Sequence, residues 1–252
     1  NPKQEEIDKD PKHTGLRLFL EAKNNHRMQF CLLVANHAGF LITTPENWRR
    51  AAQVWLPYLK HPRHLRVGGR PLVIIFNPAD ATKEGLAAVQ EVAQQAGLPG
   101  VAIAACGAGD PKIGYTHRTH YNIVPGYSAG SQARPYQELI EAHQRAWHGS
   151  PHQPFIPQVT VGWDKRPWET PGSPKAGWYY PDRTPEAFGQ FLESAIRWMD
   201  QNPDKTTAER LLLIYAWNEL GEGGYLVPTA GDPTAKYLQT VRSVVLGQTK
   251  RE

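Results

Sequence analysis

Short apolar runs rich in β-branched residues alternate along this chain with longer segments whose apolar positions recur every three or four residues. The first pattern is that of strands buried on both faces and the second that of amphipathic crossover helices, so the alternation predicts repeated βα units around a parallel sheet. Strands are expected at residues 28–36, 72–77, 101–106, 121–124, 158–163 and 211–217, and helices at 16–25, 45–58, 82–96, 136–147 and 185–200. Thr44-Pro45-Glu46 and Thr184-Pro185-Glu186 each place a capping hydroxyl before a proline at the first helical position, with an acid following, which marks two helix starts. Residues 106–121 carry no convincing helix, and residues 164–182 are rich in Pro, Gly and Trp, so both read as long loops.

The expected strands end in small or polar residues: Ala35-Asn36-His37, Phe76-Asn77-Pro78, Pro125-Gly126-Tyr127, Trp163-Asp164 and Trp217-Asn218-Glu219. A (β/α)8 barrel gathers the C-terminal ends of its strands into one pocket and would bring these scattered residues together. We therefore expect α/β architecture of the (β/α)8 type, in one catalytic domain covering residues 1–252. A doubly wound open sheet is the alternative. About six strands are countable, so the chain reads as the C-terminal three quarters of such a barrel, from about its third strand to its eighth. The first two strands are expected upstream of Asn1.

Composition narrows the class without naming it. Hydrophobic residues make up 40% and charged residues 21%, and no run approaches the roughly 18 apolar residues of a membrane span. The net charge of +4 arises from 28 Lys and Arg spread among 24 acids. The densest basic stretch, with Arg50, Lys60, Arg63 and Arg66, reads as a solvated helix face and its exit loop, which disfavours nucleic acid as a partner. Cys31 and Cys106 each lie in an apolar run, where a free thiol behaves as a small core hydrophobe. The opening residues 1–6 are polar and charged and show no signal peptide.

Chemistry concentrates at one place. The apolar run Leu211-Leu212-Leu213-Ile214-Tyr215-Ala216 leads into Trp217-Asn218-Glu219-Leu220-Gly221-Glu222-Gly223. Retaining glycoside hydrolysis needs two carboxyl groups about 5–5.5 Å apart. Three residues of extended strand span about 10 Å, too far. Gly221, Gly223 and Gly224 permit a tight turn that brings Glu219 and Glu222 to one side of a pocket, with Trp217 as an aromatic wall and Asn218 as an amide hydrogen-bonding group.

These residues resemble the Trp-Asn-Glu-Trp-x-Glu-Gly signature of the endo-α-mannosidase-like glycoside hydrolases of family 99 and their WbsX-type, glycosyltransferase-like relatives. Tyr225-Leu226 and Pro228 follow as in that family, Val161-Gly162-Trp163-Asp164 with Arg166-Pro167 is similar to its Gly-Trp-Asp segment, and Phe30 to Asn36 resembles a strand ending in Trp-Ala-Asn. Residues 58–75 are similar to its helix exit and Gly-x-Pro strand, so the likeness covers roughly residues 28–245. Leu220 stands where the signature has an aromatic residue, and Val34 where it has Trp. The resemblance implies a (β/α)8 barrel, Glu222 as general acid/base, and Glu219 as the carboxylate assisting at the sugar 2-hydroxyl or anomeric carbon. It implies a carbohydrate substrate and a periplasmic or extracellular setting; no cofactor or metal is expected. Asn36, His37, Tyr127, Trp163, Asp164, Arg166, Trp217, Asn218 and Tyr225 are the expected substrate-binding residues.

Rival signals are weaker. Gly107-Ala108-Gly109 lacks the third glycine of a dinucleotide loop, because Lys112 stands there. His117 and His120 have a metal-like spacing without a clear third ligand. Gly126-Tyr127-Ser128-Ala129-Gly130 fits the nucleophile elbow of serine hydrolases, but no helix follows it directly and the last histidine of the chain is His152. The expected activity is a retaining glycoside hydrolase acting on an α-linked poly- or oligosaccharide. The alternative is a glycosyltransferase-like or non-catalytic glycan-binding barrel, and oligomeric state is not readable.

Overall fold

A computed structural model describes residues 9–148 and 153–249, so the polar opening residues 1–6 and His152 lie outside the described residues. The chain divides into two compact units, Asn1–His117 and Arg118–Glu252.

The first unit begins with helix α1 (Thr14–Glu21), which stops earlier than its apolar pattern predicts. The Asn25 side chain donates to the Leu20 carbonyl at 2.8 Å and a 3-10 turn follows, as expected where a short polar side chain competes for helical backbone groups. Strand β1 (Leu32–Val34), helix α2 (Pro45–Lys60), β2 (Arg66–Val67), β3 (Arg70–Ile75), helix α3 (Lys83–Gln95) and β4 (Ala102–Cys106) come next. β1, β3 and β4 pair in parallel in that order, with Leu32 opposite Val73 and Leu72 opposite Ala102. β2 folds back on β3 through Gly68-Gly69, both at positive φ, the conformation that a two-residue hairpin turn requires.

The Thr44 and Thr82 hydroxyls cap α2 and α3, accepting from Asn47 N at 3.2 Å and Gly85 N at 3.1 Å. The two helices bury Trp48, Leu59, Leu86 and Val89 against Val73, Ile75 and Ile103. Of the basic stretch, Arg66 donates to the Leu59 and Gly69 carbonyls, closing the end of α2 and the hairpin. Both cysteines are free and half-buried, and burial alone pushes the Cys31 thiol to about 11 and the Cys106 thiol to about 12.

Strand β5 (His117–Thr119) crosses the chain boundary between the units and differs from the strand expected at residues 121–124, which is irregular. Its polar sequence hid it. Thr119 is buried because its hydroxyl donates to the Ile156 carbonyl at 2.9 Å, while the Arg118 backbone exchanges bonds with Pro154 and Ile156.

The second unit continues with β6 (Gln132–Ala133), helix α4 (Tyr136–Trp147), β7 (Gln158–Thr160), β8 (Trp178–Tyr179), helix α5 (Pro185–Gln201), β9 (Leu213–Tyr215), β10 (Asn218–Glu219), β11 (Gly224–Tyr225) and helix α6 (Lys236–Thr249). β7 and β9 pair in parallel, Gln158 opposite Leu213 and Thr160 opposite Tyr215, as do β6 and β8. α6 was not expected: its apolar stripe is weak, and it starts where the Asp232 carboxylate accepts from Lys236 N at 2.7 Å. Phe188, Phe191, Leu192 and Trp198 on α5 pack with Trp147 and Val159 to form this unit's core. The architecture is mixed α/β with parallel strand pairs, as the alternation implied.

Candidate active site

In the second unit β9 delivers Tyr215 to the core, and the chain then turns into the hairpin β10–β11. Asn218 pairs with Tyr225 and Glu219 with Gly224, and residues 220–222 form a 3-10 turn between the strands. Gly223 closes that turn at φ 72°, a left-handed conformation that favours glycine. A Cβ there would also press on the backbone of Asp164. The turn is pinned from outside: Asp164 N donates to the Glu222 carbonyl at 2.8 Å, and the Arg183 guanidinium donates to the Gly223 carbonyl. Glu219 and Glu222 thus sit on one short hairpin.

Each carboxylate meets a tyrosine hydroxyl. Tyr121 Oη donates to Glu219 Oε1 at 3.2 Å, and Tyr215 Oη donates to Glu222 Oε2. The two phenol rings meet edge-on, 5.2 Å between centroids. Burial raises the Glu222 carboxyl above the usual carboxylate range and the Glu219 charge pushes the same way, while the Tyr215 hydroxyl and the Lys165 ammonium pull it down. The net direction is upward. Burial, then the bond to Glu222, holds the Tyr215 phenol far above its ordinary value.

Around the hairpin, Trp163 is buried at 3% exposure and packs between Tyr215 and Tyr127 at 6.1 and 5.7 Å. Asp164 is gripped by Arg166 through bonds of 2.9 and 2.7 Å. Burial opposes its ionisation, but those bonds outweigh it and hold the carboxyl below its usual range. Arg166 also lies over the Tyr179 ring at 3.5 Å, and Arg183 over Tyr225 at 4.6 Å. Trp217, Leu220, Trp168 and Tyr127 are all more than half exposed, and Trp168 packs against Gly221 beside Glu222. Asn218 is exposed as well.

Of the residues singled out in the sequence, Tyr127, Trp163, Asp164, Arg166, Trp217, Asn218 and Tyr225 share the second unit with both glutamates. Asn36 and His37 belong to the first unit. Asn36 is fully buried, its side chain donating to the Asn77 carbonyl at 2.8 Å and accepting from Asn77 N at 2.9 Å. It ties the end of β1 to the end of β3. Asn36→Ala leaves those groups unpaired and should cost about 1–3 kcal/mol of stability in urea unfolding. His37 is exposed and lies edge-on to Phe40 and Phe76. His117 is buried in β5, His120 packs against Phe155, and among the described residues no group of three or more His, Cys, Asp or Glu comes together to hold a metal. Tyr121, Lys165 and Arg183 were missed from the sequence.

Residues 114–241, just over half of the chain, match the family model described as "Glycosyltransferase WbsX". The chain belongs to the WbsX family. No curated protein matches this WbsX chain. Among solved structures it is similar to the GH99 endo-α-mannosidase of Bacteroides thetaiotaomicron, with a TM-score of 0.56, 17% identity, and 97% of this chain and 78% of that one covered. It is also similar to a protein titled "Glycoside hydrolase-like protein", with a TM-score of 0.54, 12% identity and 79% of this chain covered; there the WbsX chain spans 60% of the other's length. The match places residues 121–225, with both glutamates and both tyrosines, inside the WbsX segment.

Proposed function

We propose that this WbsX-family chain is a retaining glycoside hydrolase acting on an α-linked poly- or oligosaccharide, built on a (β/α)8 barrel. The observation that carries the reading is the hairpin of residues 218–225, which holds two glutamates with a tyrosine hydroxyl on each. Two carboxyl groups in unlike surroundings are what acid/base chemistry at a glycosidic bond requires. Burial raises the Glu222 carboxyl, which favours the protonated form that gives its proton to the leaving oxygen as the glycosidic bond breaks. Glu219 assists the displacement: either it takes the 2-hydroxyl proton as that oxygen bonds to the anomeric carbon, or its own carboxylate oxygen forms that bond. The new bond breaks when water attacks, with the proton returned to the 2-oxygen in the first case. Glu222, now ionised, then takes a proton from water as that water attacks the anomeric carbon, and both carboxyl groups return to their starting states. Trp217, Trp168 and Tyr127 offer exposed aromatic faces suited to the apolar faces of sugar rings. Contacts to substrate from Trp163, Asp164, Arg166, Asn218 and Tyr225 rest on the resemblance and are tested by single substitution; Asn36, buried and bonded to Asn77, and His37 belong to the first unit.

The second reading follows from the family's description as a glycosyltransferase. The same acid/base pair can pass a glycosyl group to an acceptor hydroxyl in place of water. Product analysis of defined α-linked oligosaccharides separates the two: reducing-end release with one oxygen from labelled water supports hydrolysis, and elongated products without it support transfer.

Tyr215→Phe tests the site's electrostatics. The hydroxyl lowers the Glu222 carboxyl, so its removal raises that carboxyl further. Glu222 must be protonated for the first step, so the alkaline limb of kcat/KM should move to higher pH. A limb that stays in place or moves down would remove Glu222 from the acid role.

A further inference from the structure

We propose that the cavity beside the carboxylate hairpin is a subsite for an anionic group on the sugar, a uronate carboxylate or a sulfate ester. The cavity measures about 470 Å³ and is lined by Tyr127, Ser128, Gly130, Lys165, Glu169 and Lys175. It joins the catalytic glutamates through two of these residues. Lys165 acts electrostatically on Glu222, and Tyr127 packs on Trp163, which packs on the Tyr215 that holds Glu222.

Lys165 is the unusual residue. Only 7% of it is exposed, although an ammonium loses several kcal/mol of hydration on burial unless it is compensated. Its compensation is partial: the nearest carboxylate is Glu169 at a long 3.7 Å, the Tyr127 ring lies 4.0 Å away, and Glu222 attracts it without forming an ion pair. An ammonium carries three N–H donors, so one weak ion pair and one π-face leave it capacity for an acceptor in the cavity. Lys175 supplies a second positive charge to the same wall, and its ammonium has no carboxylate partner among the described residues. Two ammonium groups face one carboxylate, with the Ser128 hydroxyl beside them. A neutral sugar ring would be met by amides, hydroxyls and aromatic faces, whereas this wall has an excess of positive charge that an anionic substituent neutralises.

The proposal rests on the glycan reading above and names the class of glycan; its test reads binding and is separable from turnover. The probes are an α-1,4-linked galacturonate oligosaccharide with its carboxyl-reduced form, and a sulfated α-linked fucose oligosaccharide with its desulfated form, each titrated calorimetrically. One anionic probe should bind at least about tenfold more tightly than its neutral form, the scale of one charge-assisted hydrogen bond. Which pair shows the margin distinguishes carboxylate from sulfate. The margin should shrink in about 0.5 M salt, collapse in Lys175→Gln and persist in Lys175→Arg. Equal binding within both pairs, or a margin untouched by Lys175→Gln, overturns the subsite. Anion preference without turnover keeps the subsite and removes the hydrolase reading, while turnover without anion preference does the reverse.

Discussion

Glu222→Gln should lower turnover of α-linked oligosaccharides with sugar leaving groups by about 100- to 10,000-fold, the usual contribution of a positioned acid. Gln keeps an oxygen to accept from Tyr215 Oη and nearly the same volume, so the hairpin has no reason to unfold. With an aryl glycoside whose phenol leaves without a proton, the first step should be much less impaired. That contrast separates an acid from a structural residue, since damage to the hairpin would slow both substrates alike. The same substitution carries a stability signature. Glu222 binds its proton more tightly folded than unfolded, so between the ordinary carboxylate value and its raised value the unfolded chain binds fewer protons. Stability of the native protein therefore falls as pH rises through that window and stays lowered above it. Gln has no such penalty, so the variant's melting temperature should equal wild type in acid and exceed it at neutral pH. A variant less stable at pH 7 would contradict the raised carboxyl.

The carboxylate pair was legible because its determinants are local. An apolar strand, two glutamates and three glycines within residues 211–224 are enough to predict a turn, and Gly223 at φ 72° is that turn's requirement met. Helix starts at Thr44 and Thr184 were legible for the same reason: the cap, the proline and the acid are neighbours. What escaped depends on distant partners. Tyr121 reaches Glu219 across 98 positions, and no spacing announces that bond. Strand β5 is built of polar residues, and Thr119 can be buried there because the Ile156 carbonyl on a later segment accepts from its hydroxyl. Lys165 reads as one more loop lysine until the Tyr127 ring and Glu169 are seen around it. Asn36 shows the limit from the other side: its place at a strand end was legible, but its two bonds to Asn77 depend on the neighbouring strand.

Phe191→Ala should have the largest effect on stability, a loss of about 3–5 kcal/mol. Phe191 is 2% exposed on α5, stacked on Trp147 at 5.7 Å with 12° between ring planes, and edge-on to His143 at 5.7 Å. Aromatic neighbours of this size cannot collapse into the space left by a phenyl ring without leaving their own rotamers, so the cavity persists and its cost adds to the lost burial. For a chain of this length each kcal/mol lowers the melting temperature by about 2–4 °C, so the shift is easily read by calorimetry. Turnover measured well below the transition should stay close to wild type. Arg183, which holds the Gly223 carbonyl, precedes α5, and that helix start is fixed by the Thr184 hydroxyl accepting from Ala187 N at 3.1 Å, two turns from the cavity. Stability lost with turnover kept identifies Phe191 as core that supports the hairpin only by keeping the unit folded. A collapse of turnover with little change in melting temperature would instead mean that α5 transmits side-chain packing directly to the carboxylates.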